Sequence, residues 1–159
     1  MSNGIKAQIP TITVANGQII GDSIIVYKAD TLGLNQGPSG ASVTWNFSTL
    51  DRTGGVYRYT MAPSRTPYPV LYPSSNRAEK TVSGTSTNYQ FYNTQNDSAI
   101  TVGTSGGVID STIYSNTDKS TIFPFTYLNA FYDSSISIAY YNSGASNRAY
   151  HSRTTTADG

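Results

Sequence analysis

Gly103-Thr104-Ser105-Gly106-Gly107 fits the Gly-x-Ser-x-Gly spacing that presents a nucleophilic serine in many hydrolases. That elbow needs a helix directly after the serine, to aim the hydroxyl and support the oxyanion hole. Here Val108 to Tyr114 reads as a strand, so the segment reads as a Gly-rich hairpin turn. His151 is the only histidine, hence the only general base that works near neutral pH without a large pKa shift. Its surroundings, Asn147-Arg148-Ala149-Tyr150-His151-Ser152-Arg153, read as a solvated strand face. Glu79 is the only glutamate, so a two-carboxylate glycosidase site would have to draw on aspartates, and most of these stand beside Ser or Thr as turn builders. Asn116-Thr117-Asp118 and Asn96-Asp97 carry oxygens of the kind calcium takes, but neither has an EF-hand spacing and both read as loops. With no cysteine there is no thiolate chemistry and no disulfide. No catalytic, cofactor-binding or metal-ligating residue is assigned.

Any elements that position these side chains must be strands. Ile, Val and Thr total 42 residues against eight for Leu, Glu and Met, a composition that suits pleated surfaces and disfavours helices. The 159 residues make about one domain. Ten Lys+Arg against nine Asp+Glu leave a net charge of +1, which gives no field to gather nucleic acid or an anionic membrane surface. No stretch approaches the roughly 18 consecutive apolar residues of a membrane span. Ser, Thr and Asn are abundant, yet 13 Tyr, five Phe, one Trp and 21 Ile+Val are too many order-promoting groups for a disordered chain.

Short apolar runs separated by Gly, Pro, Asn and Ser predict strands near 9–14, 19–28, 41–48, 55–61, 78–83, 87–93, 98–102, 107–115, 120–127, 134–141 and 147–155. In Val43-Thr44-Trp45-Asn46-Phe47-Ser48 the period of two places Val43, Trp45 and Phe47 on one face, and these are the expected core. Burying Trp45 and Phe47 removes about 150–250 Å² each from water. Ile24-Ile25-Val26-Tyr27 is apolar on both faces and predicts a central strand. Asn16-Gly17 predicts a two-residue hairpin, and Asn142-Ser143-Gly144 a turn between two strands. The Pro-rich stretch from Pro63 to Pro73 cannot complete a ladder and predicts a connection or an edge. The expected fold is therefore all-β, an antiparallel β-sandwich of jelly-roll or Ig-like type without substantial helix. The 13 tyrosines suit half-exposed sheets, where the ring packs and the hydroxyl stays wet, and the same rings can serve as platforms for sugars.

Gly37-Pro38-Ser39-Gly40-Ala41, followed by Trp45-Asn46-Phe47-Ser48-Thr49-Leu50, resembles a motif of secreted Bacteroidetes proteins that carry an N-terminal β-sandwich-like domain and a type IX secretion C-terminal sorting domain. Thr66-Pro67-Tyr68, Tyr72-Pro73-Ser74-Ser75-Asn76 and Phe123-Pro124-Phe125-Thr126-Tyr127 are similar to later landmarks of that family. The family continues the last landmark with Gly-Asp, where this chain has Leu128-Asn129. The resemblance runs from about Ile9 onward and implies export and a secreted or outer-cell-surface location; it brings no catalytic residues with it. On this reading residues 1–8 are a signal-peptide remnant or disordered tail, with Ala7-Gln8 as the cleavage junction. Residues 9–159 are then a single β-sandwich domain, truncated after the turn dipeptide Asp158-Gly159. Asp22-Ser23-Ile24, Asp30-Thr31-Leu32, Asp97-Ser98-Ala99 and Asp110-Ser111-Thr112 resemble the O-glycosylation acceptor of exported proteins of these bacteria, which makes Ser23, Thr31, Ser98 and Ser111 candidate acceptors; Asp beside Ser or Thr is equally a turn device. Asn46-Phe47-Ser48 and Asn96-Asp97-Ser98 also fit the N-glycosylation sequon.

The sequence thus points to a non-catalytic exported cell-surface domain with an adhesion or structural presenting role. The alternative is an accessory, carbohydrate-binding module of a secreted hydrolase. Expected partners are glycans or other cell-surface molecules. Self-association through an unpaired sheet edge at Arg148 to Thr156 is a further expectation, because the strand that should follow Asp158-Gly159 would be its partner.

Overall fold

A computed structural model describes residues 11–29, 52–106 and 109–157. Ten strands run in chain order: β1 Thr11–Ile12, β2 Ser23–Ala29, β3 Arg52–Met61, β4 Arg77–Ser83, β5 Ser86–Thr94, β6 Ser98–Gly106, β7 Ile109–Ile122, β8 Phe125–Thr126, β9 Ala130–Tyr141 and β10 Ser146–Thr156. Eight of them form one antiparallel sheet in the order β10-β9-β7-β6-β5-β4-β3-β2, and β1 pairs with β8 in a separate two-stranded sheet. The helical content of the described residues is two single 3₁₀ turns, Val14–Asn16 and Pro63–Arg65. The all-β antiparallel class expected from composition is the class observed. The eight-stranded sheet and the small two-stranded sheet are consistent with the expected all-β sandwich; the described strands join spatial neighbours, with one excursion through β8 between β7 and β9.

Alternation along the strands gives the large sheet two distinct faces. Ala78 and Phe91 are ladder partners on one face, and the adjacent pair Arg77 and Tyr92 lies on the other. The first face is covered by the Pro-rich connection between β3 and β4, which is the role expected of residues 63–73. It brings Tyr72 into the core with Ala78, Phe91 and Val102, and Met61, Tyr68, Tyr89 and Ile113 pack around this cluster. Tyr72 stacks on Phe91 with ring centroids 4.1 Å apart, and Phe91 is completely buried. The Tyr72 hydroxyl donates to the Thr104 carbonyl at 2.5 Å and meets Ser105 Oγ at 2.8 Å. Burial raises its pKa, and the Ser105 hydrogen bond opposes the rise. Gly103 lies directly under this ring: a Cβ there would overlap both the Tyr72 ring and the Thr112 carbonyl oxygen.

The second face is partly covered by residues 12–20 and the β1–β8 ladder. Arg77 Nη1 donates to the Gln18 carbonyl at 3.1 Å, and Gln18 Oε1 accepts from Thr60 Oγ1 at 3.3 Å. Phe125 of β8 is buried, edge to face with Phe131 of β9 at 5.7 Å.

Several expectations are corrected. Asn16-Gly17 does not close a hairpin. The Asn16 side chain reaches back to accept from Thr13 N at 2.8 Å and Thr13 Oγ1 at 2.9 Å, holding a 3₁₀ turn, and Gly17 is extended at φ −73°. The strand expected over 9–14 is, among the described residues, only Thr11–Ile12. The strands expected at 107–115 and 120–127 are mainly one 14-residue strand, β7. Its polar middle, which reads as a loop, is absorbed as register shifts against β6 and β9, with Asn116 Nδ2 donating to the Ser134 carbonyl at 2.6 Å. The run Ile24 to Tyr27 is not central: β2 is the outermost strand among the described residues, and these four side chains are 40–49% exposed. Two-faced apolarity marks this edge strand as well as it would a covered one, so the pattern alone could not place it. The expected core residues Val43, Trp45 and Phe47 lie outside the described residues, as does Thr31.

Candidate functional site

The turn at 142–145, expected from Asn142-Ser143-Gly144, sets the register of the β9–β10 hairpin. Tyr141 N donates to the Ala145 carbonyl and Gly144 N to the Tyr141 carbonyl, with Gly144 at φ +82°. Counting outward along the hairpin, Ser135 is opposite His151 and Asp133 opposite Arg153. Across β7, Tyr114 pairs with Ser137. Asp118, Thr101 and Tyr92 are successive ladder partners, so Asp118 lies on the same face of the sheet as Tyr92.

These residues line a cleft of about 310 Å³ formed by Tyr114, Asp118, Ser135, His151, Ser152 and Arg153. Ser137 Oγ and His151 Nε2 are 2.8 Å apart. The His151 ring lies 6.4 Å from the Tyr114 ring at 47°. Arg153 Nη2 sits 3.3 Å from Asp118 Oδ1 and donates to the Lys119 carbonyl at 2.6 Å. Asp133 Oδ2 accepts from Lys119 N at 2.8 Å, which fixes the backbone beneath the ion pair. Burial raises the Tyr114 phenol above its ordinary pKa, the Asp118 carboxylate raises it further, and Arg153 opposes both. Ser135 is 3% exposed, and its hydroxyl has no hydrogen-bond partner. A buried hydroxyl left unpaired costs about 1–3 kcal/mol, so one that lines a cleft is a natural place for a ligand group to bind.

The cluster lacks the layout of a Ser-His hydrolase. Among the described residues no carboxylate is hydrogen-bonded to the His151 ring, Asp118 being engaged with Arg153. Ser137 is buried, and its hydroxyl holds the imidazole in place across the strands. What the cleft does offer is a hydroxyl, an imidazole, an ion pair and an aromatic ring, all within one small polar recess. That set suits hydrogen bonding to a polyhydroxylated ligand.

The other residues singled out in the sequence lie elsewhere. Ser105 is buried inside β6 and bonded to Tyr72, with β7 following, so Gly103 to Gly106 belong to a strand and not to a nucleophile elbow. Glu79 is buried on β4, 3.7 Å from Arg58. Ser23 is exposed at the start of β2, whereas Ser98 and Ser111 are both buried, so an enzyme acting on the folded chain reaches Ser23 and not the other two. The aspartates of two triplets make local turn bonds: Asp22 Oδ2 accepts from Ile19 N at 2.8 Å, and Asp97 Oδ1 from Ser98 Oγ at 2.9 Å. Asp118 and Asn116 are strand residues, and no group of three or more acidic, His or Cys side chains suited to a metal occurs among the described residues. The Ser135–His151–Arg153 grouping was not read from the sequence, although counting back from the 142–145 turn would have placed Ser135 opposite His151. Compared with known protein families, with curated proteins and with solved structures, the chain matches none.

Proposed function

We propose that the chain is a non-catalytic domain of an exported cell-surface protein, acting in adhesion or presentation, and that it contacts its partner through the cleft between β7, β9 and β10. The observation that carries this reading is the buried, unpartnered Ser135 hydroxyl, lining the cleft with His151 and the Arg153–Asp118 pair. The export component rests on the motif around Trp45 and its similarity to secreted Bacteroidetes proteins. Binding of glycans is the form of the function that this chemistry favours: sugars present donor and acceptor hydroxyls together with apolar C–H faces, which Tyr114 can meet. That property fits both an adhesin and an accessory module of a secreted hydrolase. Self-association through the outer edge of β10 is a second mode of contact.

A glycan array probed with the protein tests the reading. Binding to a defined set of glycans, lost in Ser135→Ala and Arg153→Ala variants that keep the β-sheet circular dichroism spectrum, is the expected result. Assays with ester, peptide and glycoside substrates should show no turnover. Hydrolysis abolished by His151→Ala would overturn the non-catalytic reading, and an array without signal would overturn the glycan one.

A further inference from the structure

An apolar recess lies away from the β7–β9–β10 cleft, between residues 12–20 and the large sheet. It has a volume of about 760 Å³, within the range of small-molecule sites. Ile12, Val14, Ile19 and Ile20 form one wall, each substantially exposed to solvent, and Phe123 and Phe125 also line the recess. One guanidinium reaches this apolar surface. Arg77, the first residue of β4, lies with its guanidinium carbon 4.6 Å from the centroid of the Tyr92 ring, and one of its nitrogens donates to the Gln18 carbonyl.

Arg77 differs from the other arginines on this face. Arg58 is paired with Glu79 and Arg153 with Asp118, whereas Arg77 has no carboxylate within ion-pair distance among the described residues. A guanidinium has five N–H donors in a planar fork that matches a carboxylate, and only one of those of Arg77 is taken by Gln18. The phenol beneath it is pushed up to about 12, first by burial and then by the Glu79 carboxylate, which marks this floor as poorly solvated. In such surroundings a charge-assisted hydrogen bond is stronger than in water.

From these features we infer that this recess binds an amphipathic carboxylate, with an acyl chain along the isoleucine wall and a carboxylate head on Arg77. The charge is complementary, the wall is apolar, and the cation is held in place by Gln18 and Tyr92 before any ligand arrives. Because the site is separate from the cleft of the proposed function, each stands or falls without the other.

Titration calorimetry with laurate below its micelle concentration and dodecanol below its solubility limit tests the inference on the intact chain. Laurate should bind about ten- to a hundredfold more tightly than dodecanol, the range expected for hydrogen bonds to a charged group. Arg77→Gln should bring laurate down to the dodecanol level and leave dodecanol unchanged, while Arg77→Lys should keep part of the preference. Ile20→Asp should weaken both ligands. The laurate–dodecanol comparison on the unaltered protein needs no variant to fold. Equal affinities, absence of binding, or undiminished laurate binding in a folded Arg77→Gln variant would overturn the assignment. So would methyl NMR shifts on laurate addition that leave Ile12, Ile19 and Ile20 unmoved.

Discussion

Ser135 and Tyr92 show how single side chains tie stability to binding. The Ser135 hydroxyl is buried without a partner, so Ser135→Ala removes a polar group that the fold leaves unsatisfied. The variant should be more stable by about 1 kcal/mol, equivalent to a rise in Tm of about 2–4 °C for a domain of this size, and should bind glycans less well. Calorimetric melting of both forms, alongside the array, checks the opposed signs. Tyr92 makes a pH prediction. Its folded pKa is raised, to about 12 from an ordinary 10.0, so the folded state holds this proton more tightly than the unfolded state. The associated stability is fully present below about pH 10 and is lost as pH rises toward 12. Denaturant titrations across that interval should show stability falling in the parent and falling less in Tyr92→Phe.

At the scale of elements, the turn joining β8 to β9 carries the clearest local strain. Leu128 adopts φ +67°, a left-handed conformation that costs a side chain about 1–2 kcal/mol. Leu128 is 69% exposed, so little packing offsets the strain. Leu128→Gly should stabilise the protein by about 0.5–1 kcal/mol once the greater freedom of the unfolded chain is set against the relief, measurable as a shifted urea midpoint at constant slope. In β6 the sign is opposite. Gly103→Ala forces a methyl into Tyr72 and Thr112 and should cost about 1–3 kcal/mol or more.

Much of this layout was legible in the sequence, because period-two patterns and turn residues are local signals. β4, β5, β9, β10, the 142–145 turn and the strand character after Ser105 were all readable in that way. Length and partners are less local. Asn116-Thr117-Asp118 has loop chemistry, yet two neighbouring strands hold it as a bulge in β7. Asn16-Gly17 carries a hairpin signature, yet Asn16 spends its side chain on Thr13. The candidate site was only half visible. His151 stood out as a unique residue and the 142–145 turn sets Ser135 opposite it, but the cleft also depends on Tyr114 and Asp118 arriving from β7, and no spacing along the chain records that. The Arg77 recess needed the β1–β8 pairing as well, between residues at opposite ends of the described chain.

Across the whole molecule, the large sheet ends in two unlike edges among the described residues, β2 and β10. β2 carries Ile24, Ile25, Val26 and Tyr27, whereas β10 carries Arg148 and Arg153, the kind of charge that guards an edge against pairing. Arg153 is occupied by Asp118, which leaves Arg148, over the exposed Tyr150 ring, as the guard nearer the 142–145 turn. Self-association through β10 should therefore be weak and salt-dependent, and Arg148→Thr should strengthen it. Sedimentation velocity over a concentration series reads the effect. A monomer at all concentrations in both forms would remove this edge as a contact surface.

The connectivity of the sheet also sets an order of events in time. The β4–β5, β5–β6, β6–β7 and β9–β10 ladders join strands that follow one another within a few residues, so these contacts close over short connections and can form early. The β1–β8 ladder is different: it joins Thr11 to Thr126 and Ile12 to Phe125 through just two paired positions. Its closure entropy is large and its contacts few, so it should form last and open first. Amide hydrogen exchange would then report fast exchange at 11–20 against slow exchange in β4, β5 and β6. The isoleucine wall over Arg77 becomes a gate that local unfolding opens, giving an acyl chain a way in while the rest of the sheet stays folded.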